Sequence, residues 1–358
     1  IGSGAIIIAQ ETILAHWFRG KALALAIGLQ ISVSRLSSFL AQGVTEPIRK
    51  HTGFWGNVFW VSAAICGISW LLNVMYIYVM KVSGLPLRPN MAKHRFNPRS
   101  IFYFPSAYWF MPLNIFLFGA VWTPFLSIAA EFVSSRFHSS KLIAGWQSAA
   151  SLAIPVVVSP FSGAFHDRYG FRGPVLILAS VVLIIGMALL GFTMANPVIG
   201  LVLFSFSLTL GPVASTTAIP LLLPRSLIGT GLGINKCALN FGVTIVNIIV
   251  GRIQDGNHDD GYHGVTDVLL AISCVTLLTS IGYTVGDYML LGGLFNANYS
   301  KRRQMLEERK GIEHEVEAGR GRKNIISIIG SICVAVIWII SIVLFGIYSI
   351  KGSANVKK

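Results

Sequence analysis

Residues 163–172 read Gly-Ala-Phe-His-Asp-Arg-Tyr-Gly-Phe-Arg. The stretch joins two apolar runs, 142–165 and 174–194, so it is a short polar reversal between two helices. Gly163 lets a neighbouring helix approach closely, and Gly170 accommodates a tight turn. Asp167 suits a position against the positive N-terminus of another helix. Arg168 and Arg172 hold the loop on one side of a membrane. A bare G-x-x-x-D-R is a weak pattern. The full G-x-x-x-D-R-x-G-x-R between two membrane-length runs is a specific one.

The surrounding chain has the matching character. Apolar runs occupy 3–18, 22–44, 57–80, 105–129, 142–165, 174–194, 197–222, 227–252, 266–291 and 325–350. A helix needs ~20 apolar residues to cross ~30 Å of hydrocarbon, and most of these runs satisfy that. Hydrophobic residues make up 54% of the chain and charged residues 12%, about half the charge of an ordinary soluble domain. The net charge of +14 does not point to nucleic acid, because the basic residues sit beside helix ends and not in a stripe with interleaved aromatics. Cys66, Cys237, Cys274 and Cys333 fall inside apolar runs without a CxxC pair, and read as packing residues. No catalytic Ser/His/Asp set, phosphate-cradling loop or metal-ligand spacing occurs in a coherent context, so neither a catalytic residue nor a metal or other cofactor is expected. The polar stretch Asp255–His263 is expected to be a solvated loop.

Alternate loops differ in basic charge. Of the 28 Lys and Arg, 18 fall on one set of loops, eight on the other, and Arg35 and Lys236 lie within helices. The richer side, which carries the 163–172 loop, is expected to face the cytosol. Residues 292–324 supply eight of its charges and are read either as a surface helix touching anionic membrane lipid or as a solvated linker. Asn298-Tyr299-Ser300 is a formal glycosylation sequon on that same side, where it would stay unused.

The 163–172 pattern resembles the loop signature of the major facilitator superfamily. Trp17-Phe18-Arg19-Gly20-Lys21-Ala22, leading into Ala26-x-Gly28-x-Gln30, is similar to the region between that superfamily's fourth and fifth helices. Gly231-x-Gly233-x-Asn235, following Pro224-Arg225, matches the position of its eleventh helix. Aligning Gly28 with Gly233 sets Gln30 on Asn235 and Arg35 on Asn240, the echo expected of two duplicated halves. The resemblance implies an all-α polytopic membrane protein with a major facilitator fold. By this count the chain runs from the fourth to the twelfth helix, plus one extra C-terminal helix. It opens on Ile1 directly into an apolar run, so N-terminal truncation is expected. The expected units are a remainder of the N-terminal bundle (1–80), a cytosolic interbundle loop (81–104), a six-helix bundle (105–292), a basic linker (293–324) and an extra span (325–350).

Within the superfamily, the chain is similar to the lysosomal dipeptide-transporter branch. The strings that carry this are Ala9-Gln10, Gly28-Leu29-Gln30-x-Ser32-x-x-Ser34-Arg35, Gly229-Thr230-Gly231-x-Gly233, Asn240-x-Gly242 and Asn298-Tyr299-Ser300. An intramembrane Arg costs ~2.5–3.5 kcal/mol on insertion scales, so it faces a cavity or a partner. Arg35 lies about fourteen residues, roughly 21 Å, into its helix and suits a substrate carboxylate. The resemblance assigns its matching Arg to peptide binding. The branch also places an acid where this chain has Gly4, a departure that puts strict dipeptide selectivity in question. Glu11, seven residues on, is read either as a replacement for that acid or as a gate partner. Lys236 is read as a snorkelling or gate cation, with substrate contact as the alternative. Gln10, Gln30, Asn240 and Gln147 are candidate hydrogen-bonding groups for a peptide amide. Trp122 and Trp146 are candidate stacking surfaces. Gly163, Asp167, Arg168, Gly170, Arg172 and Arg225 form the gating loop set, with Asp167 expected near Arg225 or the helix start at Lys21.

The function expected is alternating-access transport of a small organic solute. The substrate is a dipeptide, with a monocarboxylate or other organic anion as the alternative and a non-transporting fragment as the third reading. Facilitated diffusion (a uniporter) and proton coupling both remain open. The resemblance implies a lysosomal or vacuolar membrane and a glycosylated single-span accessory subunit.

Overall fold

The computed structural model describes residues 2–18, 22–54, 56–84, 98–256, 261–308 and 325–355. Among them every regular element is helical. The helices are α1 (Gly2–Phe18), α2 (Leu23–Thr52), α3 (Gly56–Val82), α4 (Phe110–Arg136), α5 (Lys141–Arg168), α6 (Arg172–Phe192), α7 (Pro197–Leu222), α8 (Ile228–Gly256), α9 (Gly261–Leu291), α10 (Tyr299–Glu308) and α11 (Ile325–Asn355). Short 3-10 turns at Pro98–Tyr103 and Ser106–Trp109 lead into α4, and one at Arg225–Leu227 leads into α8. Among the described residues nine helices are long and apolar enough to span a membrane, and the chain is a multi-pass integral membrane protein. The tenth apolar run, 3–18, is α1, whose 17 described residues reach about 25 Å.

The core lies in α4–α9. Phe118, Phe125, Phe132, Phe204, Leu183 and Met187 are fully buried there. Polar side chains act as interhelical glue. Asn114 on α4 donates to Ser280 on α9 at 2.8 Å, and Ser280 pairs with Ser180 on α6 at 2.8 Å. In hydrocarbon such groups must find partners within the protein. Trp122 belongs to this core: its indole N–H donates to Ser207 at 3.1 Å and its ring stacks on Phe118. That placement removes it as a substrate platform. The cysteines also depart from expectation. All four are exposed, on helix faces turned outward, and none packs in the core. α3 has no buried residue and is apolar all round, as a span facing lipid on most sides should be.

The N-terminal helices meet α4–α9 along two seams, α1 on α8 and α2 on α5. Both are tight at the end that carries the 163–172 loop, here termed the basic end. On α2 and α5, Gly28 lies against the Ser159 carbonyl and Gly163 against the Ala24 carbonyl, so a Cβ at either site would overlap backbone. Toward the opposite end, Gly43 instead meets the Trp146 indole, a bulky spacer. On the other seam, Gly229 approaches Thr12, whereas open space surrounds Gly4 near the far end of α1. The backbones of α2 and α5 therefore meet directly near the basic end, whereas a tryptophan side chain fills the space between them farther along. Gly163→Val is expected to force α2 off α5 and to cost about 1–3 kcal/mol, read as a lower Tm of the purified protein in detergent.

α11 docks through its first turns. Ser327 accepts from the Trp109 indole at 3.1 Å and donates to the Phe104 carbonyl at 2.6 Å. Of the basic segment read either as a linker or a surface helix, residues 299–308 form helix α10. Residues 309–324 and much of the 81–104 loop lie outside the described residues.

Candidate functional site

Helix α2 carries three distinct strips. At 100° per residue, Leu29, Val33, Leu36 and Leu40 share one strip, and all four are exposed. Gly28, Ser32 and Phe39 share another that packs on α5, with Ser32 donating to the Val156 carbonyl and Phe39 edge-on to Trp146. Gln30 turns the opposite way and donates to Gln10 of α1 at 3.3 Å. Between the α1-facing and α5-facing strips run Ser34, Ser38, Gln42 and Thr45. This polar strip lies opposite the leucines on the helix. Arg35 sits at its edge, half-buried and with no hydrogen-bond or ion-pair partner among the described residues.

A free guanidinium inside a membrane protein is costly, and so are buried oxygens without donors. Several of the latter lie on α2 itself and on three other helices. Glu11 Oε2, Gln30 Oε1, Gln42 Oε1, Gln147 Oε1 and Asn235 Oδ1 are all buried without a partner. They come from α1, α2, α5 and α8. The arrangement combines one strong donor with several acceptors, which fits a ligand or waters carrying the complementary groups. Gln42 was not among the sequence candidates. Its signal was present, as a polar residue two helical turns from Arg35 on the same face. Asn240 is exposed, with its backbone carbonyl accepting from Thr244, and is not among these buried, unpartnered groups.

Below this region, Lys236 Nζ lies 3.0 Å from Glu11 Oε1. Glu11 is 4% exposed and bridges α1 to α8 through this pair. The geometry thus places both residues in one interhelical ion pair, not on separate substrate groups. The Lys236 side chain is 25% exposed, consistent with access to the basic end.

At that end, Asp167 accepts from the backbone N–H groups of Ala24 at 3.1 Å and Leu25 at 2.9 Å. These are unsatisfied donors in the first turn of α2, where an anion is stabilised by the helix dipole. Lys21 and the Arg225 side chain lie outside the described residues. Gly170 adopts φ +80 and passes under the Ala297 carbonyl, a conformation and a clearance that need glycine. Arg172 is buried, donating to Thr217 at 3.1 Å and to the Phe295 carbonyl at 3.4 Å. Arg168 remains over the Tyr169 ring at 5.3 Å. His166 is buried, its Nδ1 2.8 Å from the Gly170 carbonyl.

The residues that sequence reasoning missed here are Arg302, Asp287 and Asn296. Arg302 is 6% exposed despite its place in a charged run. Burial lowers its pKa from the ordinary arginine value, and the Asp167 charge opposes that shift. A usable signal existed. Gly292-Gly293 reverses the chain with φ of 68° and 82°, and Asn298 caps α10 by accepting from Lys301 N–H at 3.1 Å. At the other end of the molecule, His263 contacts Arg136 at 3.2 Å, and residues 257–260 lie outside the described residues. No group of three metal-ligating side chains occurs among the described residues.

Nine membrane-length helices among the described residues and paired seams with a D-R loop at one end define a polytopic carrier-type architecture. A sequence profile described as Major Facilitator Superfamily matches residues 1–247, and the chain belongs to that superfamily. Among curated proteins it is similar to the lysosomal dipeptide transporter MFSD1 of Homo sapiens, 26% identical over 318 residues, covering 85% of this chain and 66% of that protein. The Bos taurus protein of the same name is 24% identical over 333 residues, covering 88% and 68%. The Danio rerio protein is 24% identical over 305 residues, covering 82% and 66%. The chain thus spans about two thirds of the length of these relatives.

Proposed function

We propose that this protein moves a small zwitterionic solute, most simply a dipeptide, by alternating access across a lysosomal or vacuolar membrane. Arg35 holds the solute carboxylate. The unpartnered oxygens of Gln30, Gln42 and Gln147 accept from its ammonium and amide N–H groups. The Glu11–Lys236 pair and the Asp167 cap close the cytosolic mouth beneath it. The observation that carries this reading is Arg35 on the polar strip of α2, half-buried and without a hydrogen-bond or ion-pair partner among the described residues. Its fork is preorganised for a carboxylate, and the unpartnered side-chain oxygens of α2 and α5 offer the opposite polarity to the same ligand. The names of the relatives favour peptides among zwitterions.

Gly4 favours a second reading. Open space surrounds it where the resembled branch has an acid, so recognition can rest on the carboxylate alone, as for a monocarboxylate or another organic anion. Uptake into proteoliposomes separates the two. Dipeptides are expected to compete with a labelled dipeptide tracer at least ten times more effectively than monocarboxylates of similar size. Equal competition would transfer the site to organic anions, and absence of any uptake would remove the transport reading. A glycosylated single-span accessory subunit belongs to this proposal and is tested by co-purification with the full chain.

A further inference from the structure

The charged segment after the last bundle helix is built into the gate. At the end of α9, Asp287 accepts from Phe295 N–H at 3.0 Å and from the Asn296 amide at 2.9 Å, folding the chain back across the bundle end. Asn296 in turn accepts from Gly173 N–H at 3.1 Å, and Phe295 stacks on Tyr283 at 5.3 Å. The returning chain becomes α10, and Arg302 reaches from it to the end of α5. Its two terminal nitrogens donate to the His166 carbonyl at 3.1 Å and the Asp167 carbonyl at 2.9 Å. These carbonyls belong to the last turn of α5, where a cation is favoured, and the His166 carbonyl also accepts from Gly170 N–H at 3.2 Å.

Asp167 is thereby held at both ends. Its carbonyl is fixed by Arg302 on α10, while its carboxylate caps α2 across the seam. Tyr299, one turn before Arg302, lines the crevice between Ala22 and Leu25 on one side and Ala164, Asp167 and Arg168 on the other. The strap therefore touches the moving seam itself.

We propose that Arg302 is a positioning residue for the Asp167 gate, and that residues 292–308 form a strap that sets how long the basic end stays shut. This rests on the alternating-access reading. When the basic end opens, Asp167 must leave the α2 amides. Arg302 stays with α5 and keeps the carboxylate presented for reclosure. Without it, the last turn of α5 loses its cap and the gate opens more often.

The test is labelling of a single cysteine at Thr12→Cys, in the α1–α8 seam, by a membrane-impermeant maleimide applied from the basic side. The background is the full chain with its four native cysteines changed to serine. Asp167→Asn is expected to speed labelling about tenfold, and Arg302→Ala by a similar factor, the scale of one hydrogen bond to a charged group. Arg302→Lys, which keeps charge and one donor, is expected to recover part of the loss and remains informative where alanine fails to fold. In the Asp167→Asn background, Arg302→Ala is expected to add little, because it acts through Asp167. Multiplying effects, or unchanged labelling in folded Arg302→Ala and Arg302→Lys proteins while Asp167→Asn still responds, overturns the strap and leaves the gate standing. Unchanged labelling in Asp167→Asn overturns both.

Discussion

Arg35→Ala is expected to weaken solute binding by about 2–5 kcal/mol, the cost of truncating one partner of a desolvated charge pair. This corresponds to roughly a thirtyfold to several-thousandfold loss in apparent affinity. The physical reason is that Arg35 has no protein partner among the described residues to compensate for it. On the proposed reading, its energy of desolvation is returned by the ligand. Fold stability should change little, since alanine removes an uncompensated charge and breaks no hydrogen bond or ion pair among the described residues. Arg35→Lys keeps the charge but loses the planar fork, and is expected to recover only part of the binding. The measurement is concentration-dependent uptake in proteoliposomes, paired with the detergent Tm. Wild-type affinity in folded Arg35→Ala would exclude Arg35 from the site.

The Glu11–Lys236 pair should respond in a different way. Either Glu11→Gln or Lys236→Gln leaves a charge with its partner gone in a largely buried setting. Such a change costs ~3–5 kcal/mol when fully buried, and the 25% exposure of Lys236 reduces the expected value to about 2 kcal/mol. The double change removes both charges and is expected to cost less than the two single changes together. A coupling energy near 2 kcal/mol from the double-mutant cycle, read from Tm or unfolding in detergent, is the expected result. The same single variants should loosen the α1–α8 seam. Additive effects would mean that the 3.0 Å approach contributes no energy.

These predictions sit on features of unequal visibility in the sequence. The spans were legible because each is a local property. A run such as Arg172–Phe192 is apolar over its whole length, and lipid demands that its backbone be paired internally whatever its neighbours do. The D-R loop was legible for a similar reason, since its Gly, Asp and Arg occupy a single turn. Even Asp167 as a helix cap followed from charge and position. Arg35 stood out as a lone cation within an apolar run, although its lack of a partner did not.

Other features were hidden. Nothing in the local surroundings of Glu11 names Lys236, 225 positions away. Their meeting depends on how α1 and α8 are rotated and on their relative height along the seam, which close packing of Thr12 on Gly229 sets. Arg302 was the sharper failure. In a run containing Lys301, Arg302 and Arg303 all three look solvated, yet only the second is turned inward and buried. That choice follows from the chain reversal at Gly292-Gly293 and from the phase of α10.

The chain alone thus determined a helical membrane protein, its superfamily loop and its deep arginine, because hydrophobic length and turn chemistry are written within single segments. Tertiary structure decided which charges pair, which buried oxygens lack a partner among the described residues, and which arginine of α10 turns inward to the end of α5. Those outcomes depend on register and rotation between helices distant in sequence, and no local pattern encodes them.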